Sequence, residues 1–364
     1  MRSTLACLAR SVVLATVLSM PPSPAAAVRQ LPCADRRHVT SECTHGAVGS
    51  IASADESDAA LTFEFRSGFW INLHHFLYVL GRAANGEADA ARDAVARAPQ
   101  DLDGFERLGS GAQRIWRDAI AFYQNGPSRR DAIFNDTLTR VTAVLASAAD
   151  RSPLDGLSLD DGLIQTLHAA APIYRQVWWA RHSASCEARI TELQRLLSAH
   201  GEGIANRIAA AWQEAWPQTP VNIDMTAYAN WAGAYSTDRH GGLIVFSCLN
   251  EGNAGLYGVE ILFHEAMHWW DDATQRRLSR IAREDNLTAP PDLPHAMIFY
   301  TAGHSVQAQV EEHVPYAERF GLWRRGFARF KPALDAHWAP WLRGETGNAE
   351  AIRSLLRALA GRSP

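Results

Sequence analysis

The chain has 364 residues, 47% of them hydrophobic, which is enough apolar material for one large core or two smaller ones. Its 39 acidic and 35 basic residues give a formal net charge of -4, and no long basic run is present. Composition and charge therefore argue against a disordered chain and against a nucleic-acid partner.

The amino terminus has the layout of a cleaved secretory signal peptide. Arg2 and Arg10 precede an apolar run at residues 11–20, and small residues follow up to Ala27. The apolar run is shorter than the roughly 20 residues that a membrane-spanning helix needs, and no later segment is long enough. We therefore expect an exported protein, secreted or periplasmic, with residues 1–27 removed and with no transmembrane segment.

Four cysteines follow the signal peptide, and an even number in an exported protein favours disulfides. Proximity in the sequence suggests that Cys33 pairs with Cys43 and that Cys186 pairs with Cys248. Their spacing contains no CxxC motif, so a zinc cluster made of thiolates is not expected.

Residues 28–216 are predicted to form a helical amino-terminal part that follows a disulfide-stapled lead-in. Within it, residues 61–80 begin with the alternation of a strand and become continuously apolar, as in a buried helix. His74 and His75 lie in this apolar stretch. Such histidines are mostly core residues with a hydrogen-bond partner, and the alternative is that His75 lines a substrate pocket or supports a metal ligand.

Residues 217–364 are predicted to form the catalytic part, which begins with a small sheet. Strand-like patterns occur at residues 221–225, 231–236 and 242–247, and a glycine-rich turn containing His240 separates the last two. An exposed strand edge offers a row of backbone donors and acceptors, so it can align an extended peptide.

A helix with the motif His-Glu-x-x-His follows this sheet and is predicted to span residues 255–281. A four-residue separation places His264 and His268 on nearly the same helix face, where both can bind one metal ion. Glu265 lies beside them and is the predicted general base that takes a proton from water. Asp271 or Asp272 follows at a distance suited to orienting His268.

The motif, the preceding sheet and the following helix resemble the zincin metallopeptidases, especially the gluzincin type, over roughly residues 221–313. The metzincin pattern is absent, because position 271 is Asp and no further His-x-x-Gly-x-x-His follows. In gluzincins the later helix donates a third zinc ligand, usually glutamate. The resemblance therefore implies a Zn²⁺ site completed by a residue of the helix that follows Pro294.

This chain offers histidines on that helix. His295 and His304 are nine residues apart, which places them on opposite helix sides, so only one of them can face the first helix. His304 is preferred, since Gly303 permits close helix approach, and His295 is the alternative. The remaining candidates are the cluster at residues 311–313 and the pair at residues 74–75.

Three histidines would still support hydrolysis, because a His₃ zinc site activates water in carbonic anhydrase. A further donor to the oxyanion is expected, with Tyr300, His295 and His240 as candidates. The sequence thus predicts a predominantly helical α+β protein that acts as a zinc metallopeptidase on a peptide or protein. The alternatives are hydrolysis of a non-peptide amide or ester, and a zinc-binding protein without catalysis.

Overall fold

A four-stranded mixed sheet lies between two layers of helices in the computed structural model of the protein. The structure describes residues 61–85, 104–216, 220–230, 232–237 and 242–361. The predicted signal peptide, the predicted Cys33–Cys43 disulfide and His240 lie outside these residues. The predominantly helical α+β class is confirmed.

The strands are β1 (Phe63–Arg66), β2 (Val221–Thr226), β3 (Ala234–Thr237) and β4 (Leu243–Ser247), arranged in the order β1-β2-β4-β3. The first two strands and β4 run parallel, whereas β3 is antiparallel to β4 and forms one edge of the described sheet. The predicted small sheet before the motif helix is therefore confirmed. The sheet also contains β1, which comes from the predicted amino-terminal part, so the two predicted parts share one sheet.

One helical layer comes from the amino-terminal half and one from the carboxyl-terminal half. The first contains α1 (Phe69–Ala84), α2 (Ser110–Asn125), α3 (Asp136–Ser147) and α4 (Asp161–Tyr174), with a 3₁₀ turn at Pro127–Arg129. A π-helical turn at Arg175–Trp179 connects α4 to α5. The second contains α5 (Ala180–Trp212), α6 (Gly255–Met267), α7 (Asp271–Glu284), α8 (Leu293–Gln307), α9 (Tyr316–Arg319), α10 (Lys331–Ala333), α11 (Ala339–Leu342) and α12 (Asn348–Ala360). Short 3₁₀ turns lie at Glu251–Asn253, His268–Trp270 and Leu322–Arg324, and a second π-helical turn lies at Leu334–Trp338.

Side-chain alternation along the strands divides the core between the two layers. In β4, Ile244 and Phe246 pack with the carboxyl-terminal helices, while Leu243 and Val245 pack with the amino-terminal helices. Every residue of this strand is therefore buried, which explains why its sequence is continuously apolar instead of alternating.

A disulfide joins Cys186 of α5 to Cys248 at the end of β4 and confirms one of the two predicted pairings. Such bonds persist in oxidising compartments, in agreement with an exported protein. Among the helices that the structure describes, none has the length and apolarity needed to cross a membrane.

The motif helix is shorter than predicted. It ends at Met267, a 3₁₀ turn follows at His268–Trp270, and α7 begins at Asp271. The change of helix type occurs at the second histidine, and Asp271 and Asp272 occupy the first turn of the new helix, where acidic side chains interact favourably with the backbone N–H groups.

Candidate metal centre

His264 and His268 project from the same side of α6 and the turn that follows it. His264 is 3% exposed, and its Nε2 lies 3.3 Å from Nε2 of His268. Both histidines are thus held one helical turn apart by the local backbone, as their spacing predicts.

His295 is brought to this pair by α8, which packs against α6. Residues 295, 299 and 303 recur every four positions and face α6: the Phe299 ring lies 3.9 Å from the His264 ring, and a Cβ added at Gly303 would lie 2.8 Å from Glu260 Oε1. Gly303 therefore permits the close helix approach predicted from the sequence. That approach brings His295, rather than His304, to the pair.

Three Nε2 atoms converge at this point. His264 Nε2 lies 3.2 Å from His295 Nε2 and 3.3 Å from His268 Nε2, and one ligand atom from each ring lies within 4.8 Å of the others. A tetrahedral zinc ion with Zn–N distances of 2.0–2.1 Å separates its nitrogen ligands by about 3.3 Å. Both separations from His264 Nε2 therefore fit nitrogens that share one zinc ion.

The surroundings keep two of these rings neutral, which is the form that binds a metal. Burial, followed by the charges of His268 and His295, holds the pKa of His264 well below its ordinary value. Burial and then the charge of His268 lower the pKa of His295 to about 4.

His268 is oriented by a carboxylate. Its Nδ1 donates to Asp271 Oδ2 at 2.9 Å, which directs Nε2 towards the other two rings. Burial favours the neutral ring, but the hydrogen bond to Asp271 and the charge of Glu265 leave the pKa of His268 raised. Of the two aspartates considered from the sequence, the structure selects Asp271, and Asp272 is exposed to solvent.

His264 lacks a comparable partner. Its Nδ1 is buried without a hydrogen bond among the described residues. Its ring is instead fixed by packing against Phe299.

His304, the preferred third ligand from the sequence, lies outside the three-histidine group. Its Nδ1 donates to the Tyr300 carbonyl oxygen at 2.8 Å, and its ring stacks on the Tyr300 ring at 4.0 Å. Tyr300 in turn donates its hydroxyl to Asp335. The hydroxyl of Tyr300 therefore points to the turn at Leu334–Trp338, and Tyr300 is not placed as an oxyanion donor.

Glu265 lies next to His264 and is 7% exposed. Its Oε2 accepts a 2.8 Å hydrogen bond from Ser236 Oγ on the edge strand β3. Burial raises the pKa of Glu265, while the charge of His268 and hydrogen bonds from Ser236 oppose that shift. A raised pKa suits a carboxylate that must accept a proton near neutral pH.

Ser236 is a site residue that sequence reasoning missed. Neighbouring residues of a strand point to opposite faces, so Ser236 faces α6 while Tyr235 faces the amino-terminal helices. The Tyr235 hydroxyl lies 2.8 Å from His75 Nε2, and His75 Nδ1 donates to the Ile71 carbonyl oxygen. His75 is thus a buried core residue that anchors β3, and it does not contact the three histidines.

The remaining histidine candidates also have other partners. His74 Nδ1 lies 2.8 Å from the Tyr123 hydroxyl, and His313 Nε2 donates to Glu260 at 2.7 Å. Glu260 lies one turn before His264 and is 1% exposed, and both of its oxygens accept from the Tyr316 N–H. This buried ion pair attaches the segment before α9 to the motif helix.

We expect His313→Ala to lower the free energy of unfolding by about 3 kcal/mol or more, because the buried Glu260 carboxylate loses the 2.7 Å hydrogen bond from His313. Burial already raises the pKa of Glu260. The deficit should be present at pH 7, shrink as the pH falls through the raised folded-state pKa, and be smallest below the unfolded-state pKa, where the carboxyl is protonated in both states. Urea unfolding at pH 4 and 7 measures this, and Glu260→Gln in the His313→Ala background should restore part of the loss. A deficit that is independent of pH would contradict the assignment.

No protein-family model matches this chain, and neither a curated protein nor a solved structure matches it.

Proposed function

We propose that this protein is a secreted or periplasmic zinc-dependent hydrolase of the zincin type, and that its substrate is a peptide or protein. The observation that carries the proposal is the convergence of three imidazole Nε2 atoms, 3.2 and 3.3 Å apart, beside the buried carboxylate of Glu265. The donor set is three histidines, so a fourth position remains for water.

Each residue has a separate role in this proposal. His264, His268 and His295 would hold the metal, and Asp271 fixes the tautomer of His268. When bound, zinc supplies a Lewis acid that polarises water and the scissile carbonyl. Glu265 takes a proton from water and passes it to the leaving amine, and Ser236 holds the carboxylate in position.

The edge strand favours a peptide over other amides and esters. β3 has β4 on one side and no strand on the other within the described sheet. It also carries Ser236, which contacts Glu265, so an extended chain paired with this edge would run past the general base. Small esters would make no use of such an edge.

Metal removal tests the proposal. We expect a chelator to abolish hydrolysis of a quenched fluorescent peptide library, and stoichiometric Zn²⁺ to restore it, because the three histidines alone cannot activate water. Metal analysis of the purified protein should give one zinc per chain. Zinc binding that raises the melting temperature without any turnover would instead indicate a non-catalytic zinc protein.

A further inference from the structure

A segment that contacts His295 of the three-histidine group is strongly basic. Residues 319–331, here called the basic segment, contain five cations and no carboxylate, although the whole chain carries a net charge of -4. The cations are Arg319, Arg324, Arg325, Arg329 and Lys331. The charge of this segment is therefore opposite to that of the protein as a whole.

The basic segment forms a wall of the metal centre. The Phe327 ring lies 5.3 Å from the His295 ring and 5.7 Å from the Phe299 ring. Phe330 is fully buried and Trp323 nearly so, which fixes the segment to the core on both sides of Phe327. Arg324, Arg325 and Arg329 lie within three residues of Phe327 in the chain, so the segment carries positive charge next to a residue that contacts His295.

Three of the five cations have no counter-ion among the residues that the structure describes. Arg329 pairs with Asp292, and Lys331 pairs with Glu318 and Asp335. By contrast Arg319, Arg324 and Arg325 are exposed and have no carboxylate partner in the part of the chain that the structure describes.

We propose that the hydrolase acts on acidic peptides, whose Asp or Glu side chains near the scissile bond bind Arg319, Arg324 and Arg325. This rests on the proposed function for its link to catalysis. Guanidinium groups bind carboxylates with paired hydrogen bonds, and exposed cations without a counter-ion attract ligands of the opposite charge.

An anionic membrane surface fits the basic segment less well than a peptide does. Membrane-surface binding uses a continuous amphipathic helix with an exposed apolar face. Here the helical pieces are only the short turns Tyr316–Arg319, Leu322–Arg324 and Lys331–Ala333, and the aromatic rings at 323 and 330 point into the core. Only Phe320 among the aromatic residues of the segment is exposed.

Binding of two matched peptides tests this inference without relying on turnover. The full-length Glu265→Gln variant is titrated against a fluorescein-labelled peptide with four glutamates and against the same peptide with four glutamines, and anisotropy is recorded. We expect the acidic peptide to bind at least about tenfold more tightly at low ionic strength, and the difference to shrink in 0.5 M salt.

Two double variants identify the surface. Arg324→Gln with Arg325→Gln should reduce the preference to about threefold or less, because it removes two unpaired charges beside the site. Arg114→Gln with Arg140→Gln makes the same change in charge on exposed residues of α2 and α3, and it should leave the preference intact. Circular dichroism spectra confirm that both variants are folded.

Equal affinity for the two peptides would overturn the inference, as would a preference that both double variants reduce alike. Binding to phosphatidylglycerol vesicles with no peptide preference would also overturn it and would indicate a membrane partner. If the acidic peptide is preferred through Arg324 and Arg325 but the zinc-loaded wild type cleaves nothing, the acidic-peptide surface stands and the proposed hydrolysis fails.

Discussion

His295→Ala should lower zinc affinity by more than about 100-fold, since losing a group that only orients a ligand already costs about 10- to 100-fold. His295 Nε2 lies 3.2 Å from His264 Nε2, so its removal opens the three-nitrogen group on one side. Hydrolysis should fall with zinc occupancy. Competition with a chromophoric chelator gives the affinity, and the peptide assay gives the activity.

His304→Ala is the matched control, because it removes a histidine from the same helix. His304 contacts Tyr300 and lies outside the group, so zinc affinity should stay within about threefold of wild type. Stability should fall moderately through loss of the stacked ring. If His304→Ala loses zinc affinity and His295→Ala keeps it, His304 is the ligand and α8 does not pack with His295 towards α6.

Glu265→Gln should reduce kcat by about 10²- to 10⁴-fold, which is the usual contribution of a positioned general base. Zinc content should be unchanged, since Glu265 is not one of the three grouped side chains. The amide is isosteric and can still accept the hydrogen bond from Ser236, so folding should be preserved. Steady-state kinetics together with metal analysis separate loss of the base from loss of the metal. Full activity with bound zinc would remove Glu265 from the mechanism.

Ser236 acts on the reaction through Glu265, so its variants should have a smaller effect. Ser236→Ala should lower kcat by about tenfold with little change in KM, because the carboxylate loses a 2.8 Å hydrogen bond that fixes its orientation. Ser236→Thr keeps the hydroxyl and should recover most of kcat. An effect on KM alone would indicate a role in binding the substrate instead.

The strands before the motif helix and the motif helix itself could be predicted because their signals are local. The alternation at residues 221–225 and the apolar run at 242–247 reflect burial on one or both faces of a sheet, and both segments are strands. The end of the motif helix at Met267 was missed. No glycine or proline marks it, and the chain continues in a 3₁₀ turn before α7.

Residues that act through long-range contacts could not be predicted. Ser236 is 29 positions from Glu265, and the two meet only because β3 is the edge strand beside α6. His75 was considered for a pocket role, yet it lies on the other face of the sheet and bonds to Tyr235. A strand pattern indicates which residues alternate, but it does not indicate which face meets which helix.

The sequence by itself determined that His264, Glu265 and His268 stand together, because helix geometry fixes neighbours four residues apart. It also determined that His295 and His304 point to opposite sides of one helix. Only the tertiary structure decided between them. Helix α8 turns Phe299 and Gly303 towards α6, and the absence of a side chain at Gly303 lets the two helices approach closely. His295 lies on that same face of α8 and therefore reaches His264.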